Sequence, residues 1–236
     1  HLGIEDMLRQ YSEGDIPASR RISIQIRLAL YQQPIAPEIL EPVLDTWRKQ
    51  RESTPLGVVR SSALIEDRKG ANFAGQFESY LGLETETDFL TAVRSCWAAL
   101  WSTRVLRYMA THDASPADTA MAVLVQPLVS ARVAGGGLSR TVDGDMVLNA
   151  TWGLGSAIAQ GEVVPDRVVL RREDHRAVTV RPVASGRKFH RVGCVHGARP
   201  VRCELASKPC LHRAPAVELG SLLRQVEDMM GMPVEI

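Results

Sequence analysis

Apolar side chains recur at helical spacing through most of residues 4–50, with Gly14 and Pro17 as the first break. The stretch RISIQIRLALY, residues 21–31, departs from this: Ile22, Ile24, Ile26, Leu28 and Leu30 alternate with period two, as in a strand. Its Arg, Gln, Leu and Ala residues favour helix, and a helix is predicted there. From Pro37, the positions Ile39, Leu40, Val43, Leu44 and Trp47 keep the helical repeat; Pro37 suits a first turn, and Pro42 is expected to kink or loosen the helix. Residues 57–64 form a β-like run, and FESYLGL, residues 77–83, alternates as a strand does. Thr87 or Asp88 is expected to cap the next helix, whose stripe is Phe89, Leu90, Val93, Trp97, Leu100, Trp101 and Val105.

Beyond the turn-rich THDASPAD, residues 111–118, AMAVLVQPLV is the most apolar strand of the chain, interrupted by Gln126-Pro127. VAGGGLSR and TVDGD read as turns around a further strand that continues as MVLNATW, and GLGSAIAQGE reads as a short helix opened by glycines. Strands are predicted at 167–171 and 177–183, then an amphipathic helix over APAVELGSLLRQVEDMM with Ala216, Leu219, Leu222, Leu223 and Val226 on one face. The closing MGMPVEI reads as the last turn of that helix running into a strand. No internal repeat appears. The sum is an α+β or α/β protein, divided into a helical part at residues 1–56 and a mixed region at 57–236.

Composition narrows the function classes. The 236 residues, 45% apolar and 23% charged, suit one large domain or two small ones with an adequate core. A net charge of +1, from 28 basic and 27 acidic side chains, gives no reason to expect nucleic acid as a partner. Apolar runs stay far below the roughly 18 residues of a membrane span, and the opening HLGIEDMLRQYSEGD has no signal-peptide pattern. A soluble, cytoplasmic protein is expected. The missing initial methionine and the ending in mid-pattern suggest a piece of a longer polypeptide.

Cys96 lies in an apolar helical pattern, where a buried thiol is expected. Cys194, Cys203 and Cys210 lie close in sequence to His190, His196 and His212; the spacing lacks the short CxxC pairs of a zinc site, and reduced structural cysteines are the alternative. Arg60 emerges from an apolar run beside two serines. It fits either a strand-end ion pair with Glu66 or Asp67, or a polyphosphate contact, since the guanidinium is permanently charged and presents several donors in one plane. NFAGQFES adds small residues that let backbone amides approach an anion. Gln126-Pro127 either turns an edge strand out of its sheet or exposes backbone groups to a planar ligand such as adenine. WGLGSAIAQGE lacks the spacing of a phosphate-binding glycine loop, so helix–sheet packing is the expected reason for Gly153 and Gly155. No Ser/His/Asp order or carboxylate pair stands out.

Taken in order, VRSSALIEDRKGANFAGQFESYLGL, AVRSCWAALWSTRVLRY, AMAVLVQPLVSARVAGG and ATWGLGSAIAQGEVVPDRVVL resemble the ATP-binding domain of the phosphoenolpyruvate synthase and pyruvate phosphate dikinase family, a domain shared with rifampin phosphotransferase and phenylphosphate synthase. The likeness is dense over residues 57–170 and resumes at KPCLHRAPAVELGSLLRQVEDMMGMPVEI. It implies an ATP-grasp-like domain with the nucleotide between two subdomains. Arg60 would contact the phosphates, Gly75 would belong to the loop covering them, Ser79 stands where a threonine usually touches the nucleotide, and Gln126 matches the hinge glutamine beside adenine. Glu235 falls where the family has an acidic residue, which makes it a candidate metal ligand. The implied cofactors are ATP and Mg²⁺, and the implied partners are a phospho-carrier histidine domain and a small-molecule acceptor. The family's N-terminal GGK lysine and its later magnesium ligands have no counterpart in this chain, Ser156 replaces a glutamate, and none of the six histidines lies in a carrier motif. The alternative to an incomplete ATP-dependent phosphotransferase is a non-catalytic nucleotide-binding module.

Overall fold

The apolar runs near residues 57, 79 and 121 pair as one antiparallel sheet in the computed structural model, which describes residues 16–65, 77, 79–112, 114, 119–173, 177–180, 190–192, 198–200 and 208–236. Its strands are β1 (Gly57–Ala63), β2 (Ser79–Leu83) and β3 (Met121–Pro127), in the order β2-β1-β3. With helices α1 (Ile16–Gln32), α2 (Pro37–Arg51), α3 (Glu86–Ala99) and α4 (Thr103–Ala110) they belong to the first of two compact units, His1–Leu128; the second is Val129–Ile236.

RISIQIRLALY lies in α1, as its residue types predict. Ile22 and Ile26, four apart, are buried, while Ile24 and Leu28 face solvent, so the period-two alternation divides between two faces of a helix. Pro37 stands in the first turn of α2, and Pro42 sits inside the helix without ending it. The buried face of α2 delivers Leu44 and Trp47 to a core shared with Val59, Phe89, Val93 and Cys96. Trp47 stacks on Phe89 with ring centroids 4.6 Å apart. A Cβ at Gly57 would stand 2.2 Å from the Trp47 ring, so the entry to β1 requires glycine there.

Two expectations about the next helix are corrected. Its cap is neither Thr87 nor Asp88 but Thr85, whose hydroxyl accepts from the Asp88 amide while the Asp88 carboxylate accepts from the Thr85 amide. The apolar stripe that looked like one helix is two, broken at Leu100–Ser102, and the Ser102 hydroxyl accepts from the Val105 amide to start α4. The break has a packing reason. Phe89, Val93 and Cys96 join the core under the sheet, whereas Leu100, Trp101 and Val105 join a second cluster with Ile22 and Ile26 of α1.

In the second unit, β4 (Val133–Leu138), β5 (Met146–Trp152), β6 (Asp166–Glu173) and β7 (Ala177–Val180) form an antiparallel sheet in that order. A short helix α5 (Ser156–Ala159), the pair β8 (His190–Val192) and β9 (Ala198–Pro200), and helix α6 (Arg213–Met230) complete it. VAGGGL was expected to turn; it is strand β4. A Cβ at Gly135 would lie 1.9 Å from the Asn149 carbonyl oxygen, and one at Gly137 would lie 2.7 Å from side chains of Leu148 and Leu223. Glycine here is the condition for β4 to lie close to β5 and α6.

The face of α6 also differs from expectation. Ala216, Gly220, Leu223 and Glu227 are buried, whereas Leu219 and Leu222 are 42% and 49% exposed. The periodicity missed a buried carboxylate: Glu227 accepts from Arg172 at 2.8 Å and from Arg140. Burial opposes its charge, but hydrogen bonds from Arg172, Ser139 and Arg140 outweigh that and lower its pKa to about 2. After α6 ends at Gly231, in the left-handed region with φ 68°, the chain returns to the edge of β4. Gly137 and Ile236 exchange backbone hydrogen bonds of 2.8 and 3.0 Å, and Leu138 bridges Glu235. Helices and antiparallel sheets together make an α+β fold.

Candidate functional site

Strand register decides which side chains share a face. In the first sheet Arg60 pairs with Ser79 on one side and Leu124 on the other, and Val58 pairs with Leu81 and Gln126. Directly opposed residues point the same way and alternate residues repeat. Arg60, Ser79 and Gln126 therefore lie on one face, with Val58, Leu81 and Leu124 among them. The other face carries Val59, Tyr80, Val123 and Val125 into the core under α2 and α3. Arg60 and Ser79 are exposed, Gln126 is half-buried, and Leu81 and Leu124 are 38% and 49% exposed. The register shifts between Gly57 and Val58, leaving Gly82 without a partner on β1; its φ of 73° marks a bulge that glycine accommodates.

The structure thus brings three of the expected site residues onto one accessible, partly apolar surface. Gly75 lies outside the described residues, as do Glu66 and Asp67, the ion-pair partners considered for Arg60. Pro127 ends β3 opposite Gly57, and β3 is the outer strand of its sheet, where a missing N–H leaves no gap inside the ladder.

Glu235 belongs to the second unit, where the register again assembles a face. Asn149 pairs with Gly136 and Arg167, and Val147 pairs with Leu138, which bridges Glu235. These residues lie opposite the side on which Leu148, Ala150, Val168 and Leu170 pack with Ala216 and Leu223 of α6. A cleft of about 480 Å³ opens there, bordered by Asn149, Arg167, Thr141, Ile158 and Glu235. Among the described residues the buried hydroxyl of Thr141 has no hydrogen-bond partner. Asn149, Arg167 and Thr141 were not singled out from the sequence, because only the pairing of β4, β5 and β6 brings them beside Glu235.

The glycines after Trp152 act locally. Gly153 has φ 79° and donates to the Arg132 carbonyl at 2.9 Å, so the left-handed backbone there favours glycine in its own right. A Cβ at Gly155 would meet Ala134 at an ordinary 3.7 Å. Of the cysteine and histidine group, Cys194, Cys203 and His196 lie outside the described residues. Cys210 is buried, and its amide donates to the buried Asp166 carboxylate at 2.6 Å. Among the described residues no three His, Cys, Asp or Glu side chains are grouped as metal ligands, and no helix is long and apolar enough to cross a membrane.

An arginine, a hydroxyl and an amide on one sheet face, and a single carboxylate beside an arginine on another, are groups suited to a nucleotide and its phosphates. The profile of the pyruvate phosphate dikinase AMP/ATP-binding domain matches residues 2–236, and the chain belongs to that family. It is 30% identical over 205 residues to the uncharacterized phosphotransferase YvkC of Bacillus subtilis, covering 84% of this chain and 24% of that protein. It is 34% identical over 194 residues to a phosphoenolpyruvate synthase of Aeropyrum pernix, covering 76% and 23% respectively. With a rifampicin phosphotransferase of a Streptomyces species it shares 31% identity over 239 residues, 98% of this chain and 27% of the relative. The chain therefore spans about a quarter of the length of these relatives.

Proposed function

We propose that the chain is the ATP-grasp-like nucleotide-binding part of a cytoplasmic ATP-dependent phosphotransferase, which passes phosphate from MgATP to a histidine on another domain and thence to a small-molecule acceptor. The observation that carries this reading is the register placing Arg60, Ser79 and Gln126 on one open sheet face, in a chain of an ATP-binding family. Arg60 supplies a fixed charge to the phosphates, Ser79 a hydroxyl beside it, and Gln126 an amide for the adenine; Gly75 belongs to the covering loop. The exposed Leu81 and Leu124 give a planar base an apolar surface.

Glu235 is the metal candidate. The carboxylate of Glu235, the amide oxygen of Asn149 and the unpartnered hydroxyl of Thr141 are hard oxygen donors bordering one cleft, which fits a magnesium ion taking most of its ligands from phosphate and water. The ion would neutralise phosphate charge when bound. Arg167, pairing with Asn149, adds a second cation to the same face. Phosphoryl transfer rests on such positioning and charge neutralisation. The test is ATP-dependent labelling of a histidine in the longer protein: a phosphohistidine that disappears in Arg60→Ala supports the reading. ATP binding without any labelling favours a non-catalytic nucleotide module, to which the serine at position 156 also points.

A further inference from the structure

Away from the sheet faces, α1 and α4 of the first unit pack through Ile22, Ile26, Val105, Leu106 and Met109. Beside this seam lies an open cleft of about 510 Å³ lined by Arg20, Thr103, Arg104, Arg107, Tyr108 and Thr111. Three guanidinium groups border it, and no acidic side chain does among the described residues. Arg20 and Arg107 are exposed, and neither has an ion-pair partner among the described residues. Because the whole chain carries a net charge of only +1, this concentration is local rather than a consequence of general basicity.

Arg104 stands in the first turn of α4 and Arg107 in its last, one turn apart on a helix that carries no acidic residue. Like charges crowded in one cleft repel, and an anion bound among them relieves that cost. Arginine forks match phosphate oxygens in pairs, and the Thr103 and Tyr108 hydroxyls extend the donor set.

We propose that this cleft is a binding site for a small phosphate-bearing anion of two or more charges, held principally by Arg20 from α1 and Arg107 from α4. Its size suits a polyphosphate or a phosphorylated metabolite better than a single oxyanion. The site is separate from the Arg60 face and does not depend on the function proposed for that face.

The test is calorimetric titration of the chain with inorganic pyrophosphate, with succinate as a dianion lacking phosphate. Saturable pyrophosphate binding is expected, weakened about tenfold by Arg20→Gln and about tenfold by Arg107→Gln, as for loss of one charge-assisted pair. The exposed control Arg171→Gln should leave it unchanged, and the Arg20→Gln and Arg107→Gln losses should persist in an Arg60→Ala background, which removes the phosphate contact of the nucleotide face. Glycerol 3-phosphate binding alongside pyrophosphate assigns the site to phosphate esters as well, and pyrophosphate binding alone assigns it to polyphosphates. Four results overturn the proposal: absence of pyrophosphate binding, unaltered binding in the Arg20→Gln/Arg107→Gln double variant, equal weakening by Arg171→Gln, or succinate binding as tightly as pyrophosphate. Loss of pyrophosphate binding in Arg60→Ala, with the double variant intact, would place the anion on the nucleotide face instead. Circular dichroism of each variant separates lost binding from lost folding.

Discussion

On the open face of the first sheet, the chemical groups stand among apolar side chains on ordinary strands: Arg60 beside Ser79 and Leu124, Gln126 across from Val58. On the open face of the second sheet they depend on a strand of glycines. Asn149 meets Arg167 through the β5–β6 pairing, and Glu235 joins them because β4, too close to β5 for any side chain at Gly135, carries the returning segment at 234–236 on its edge. One face is decorated, and its exposed residues Arg60, Ser79 and Leu124 are expected to be exchangeable without disturbing the sheet. The other is built, so its chemistry and its folding share the same positions.

The largest effect that sharpens this contrast is expected at Gly135. Valine there must displace the backbone at Asn149, and a loss of about 3 kcal/mol or more is expected, read as a lower thermal midpoint or as failure to fold. Glu227→Ala comes next. It leaves Arg172 and Arg140 without their shared carboxylate, at a cost of about 3 kcal/mol in chemical denaturation. The same carboxylate fixes a pH dependence. Its pKa in the folded protein is lowered from 4.5 to about 2, so its contribution is complete above 4.5 and is lost as the pH falls from 4.5 towards 2. Denaturation midpoints across that interval should fall for the wild type and stay flatter for Glu227→Ala.

A smaller change, about 1 kcal/mol, is expected for Thr85→Ala, which removes a helix cap in the first unit. Smallest is Leu124→Ala on the decorated face, with stability within about 0.5 kcal/mol of wild type. A Leu124→Ala loss as large as that of Gly135→Val would break the comparison.

Much of the first unit was legible in the sequence, since residue type and pattern there agree. Helix formers overrode the alternation in RISIQIRLALY, and the run from Gly57 to Ala63 forms a strand. The misreadings have physical causes. Thr85 was passed over because a cap is identified by its reciprocal bonds with Asp88, which residue type alone leaves ambiguous. VAGGGL looked like a turn because glycine usually signals conformational freedom, whereas here it signals close approach. The buried Glu227 was invisible to hydrophobic periodicity, because its partners Arg140 and Arg172 come from distant parts of the chain. For the site, the motif order pointed to Arg60, Ser79, Gln126 and Glu235, but Asn149, Thr141 and Arg167 required the strand register.

The central claim is that the Arg60 face binds the phosphates of a nucleotide, and titration of MgATP into wild-type and Arg60→Ala chains tests it most directly. Removing one charged, multiply hydrogen-bonding contact should weaken binding about 10- to 100-fold with the fold intact. Equal affinity in the two proteins would contradict the claim.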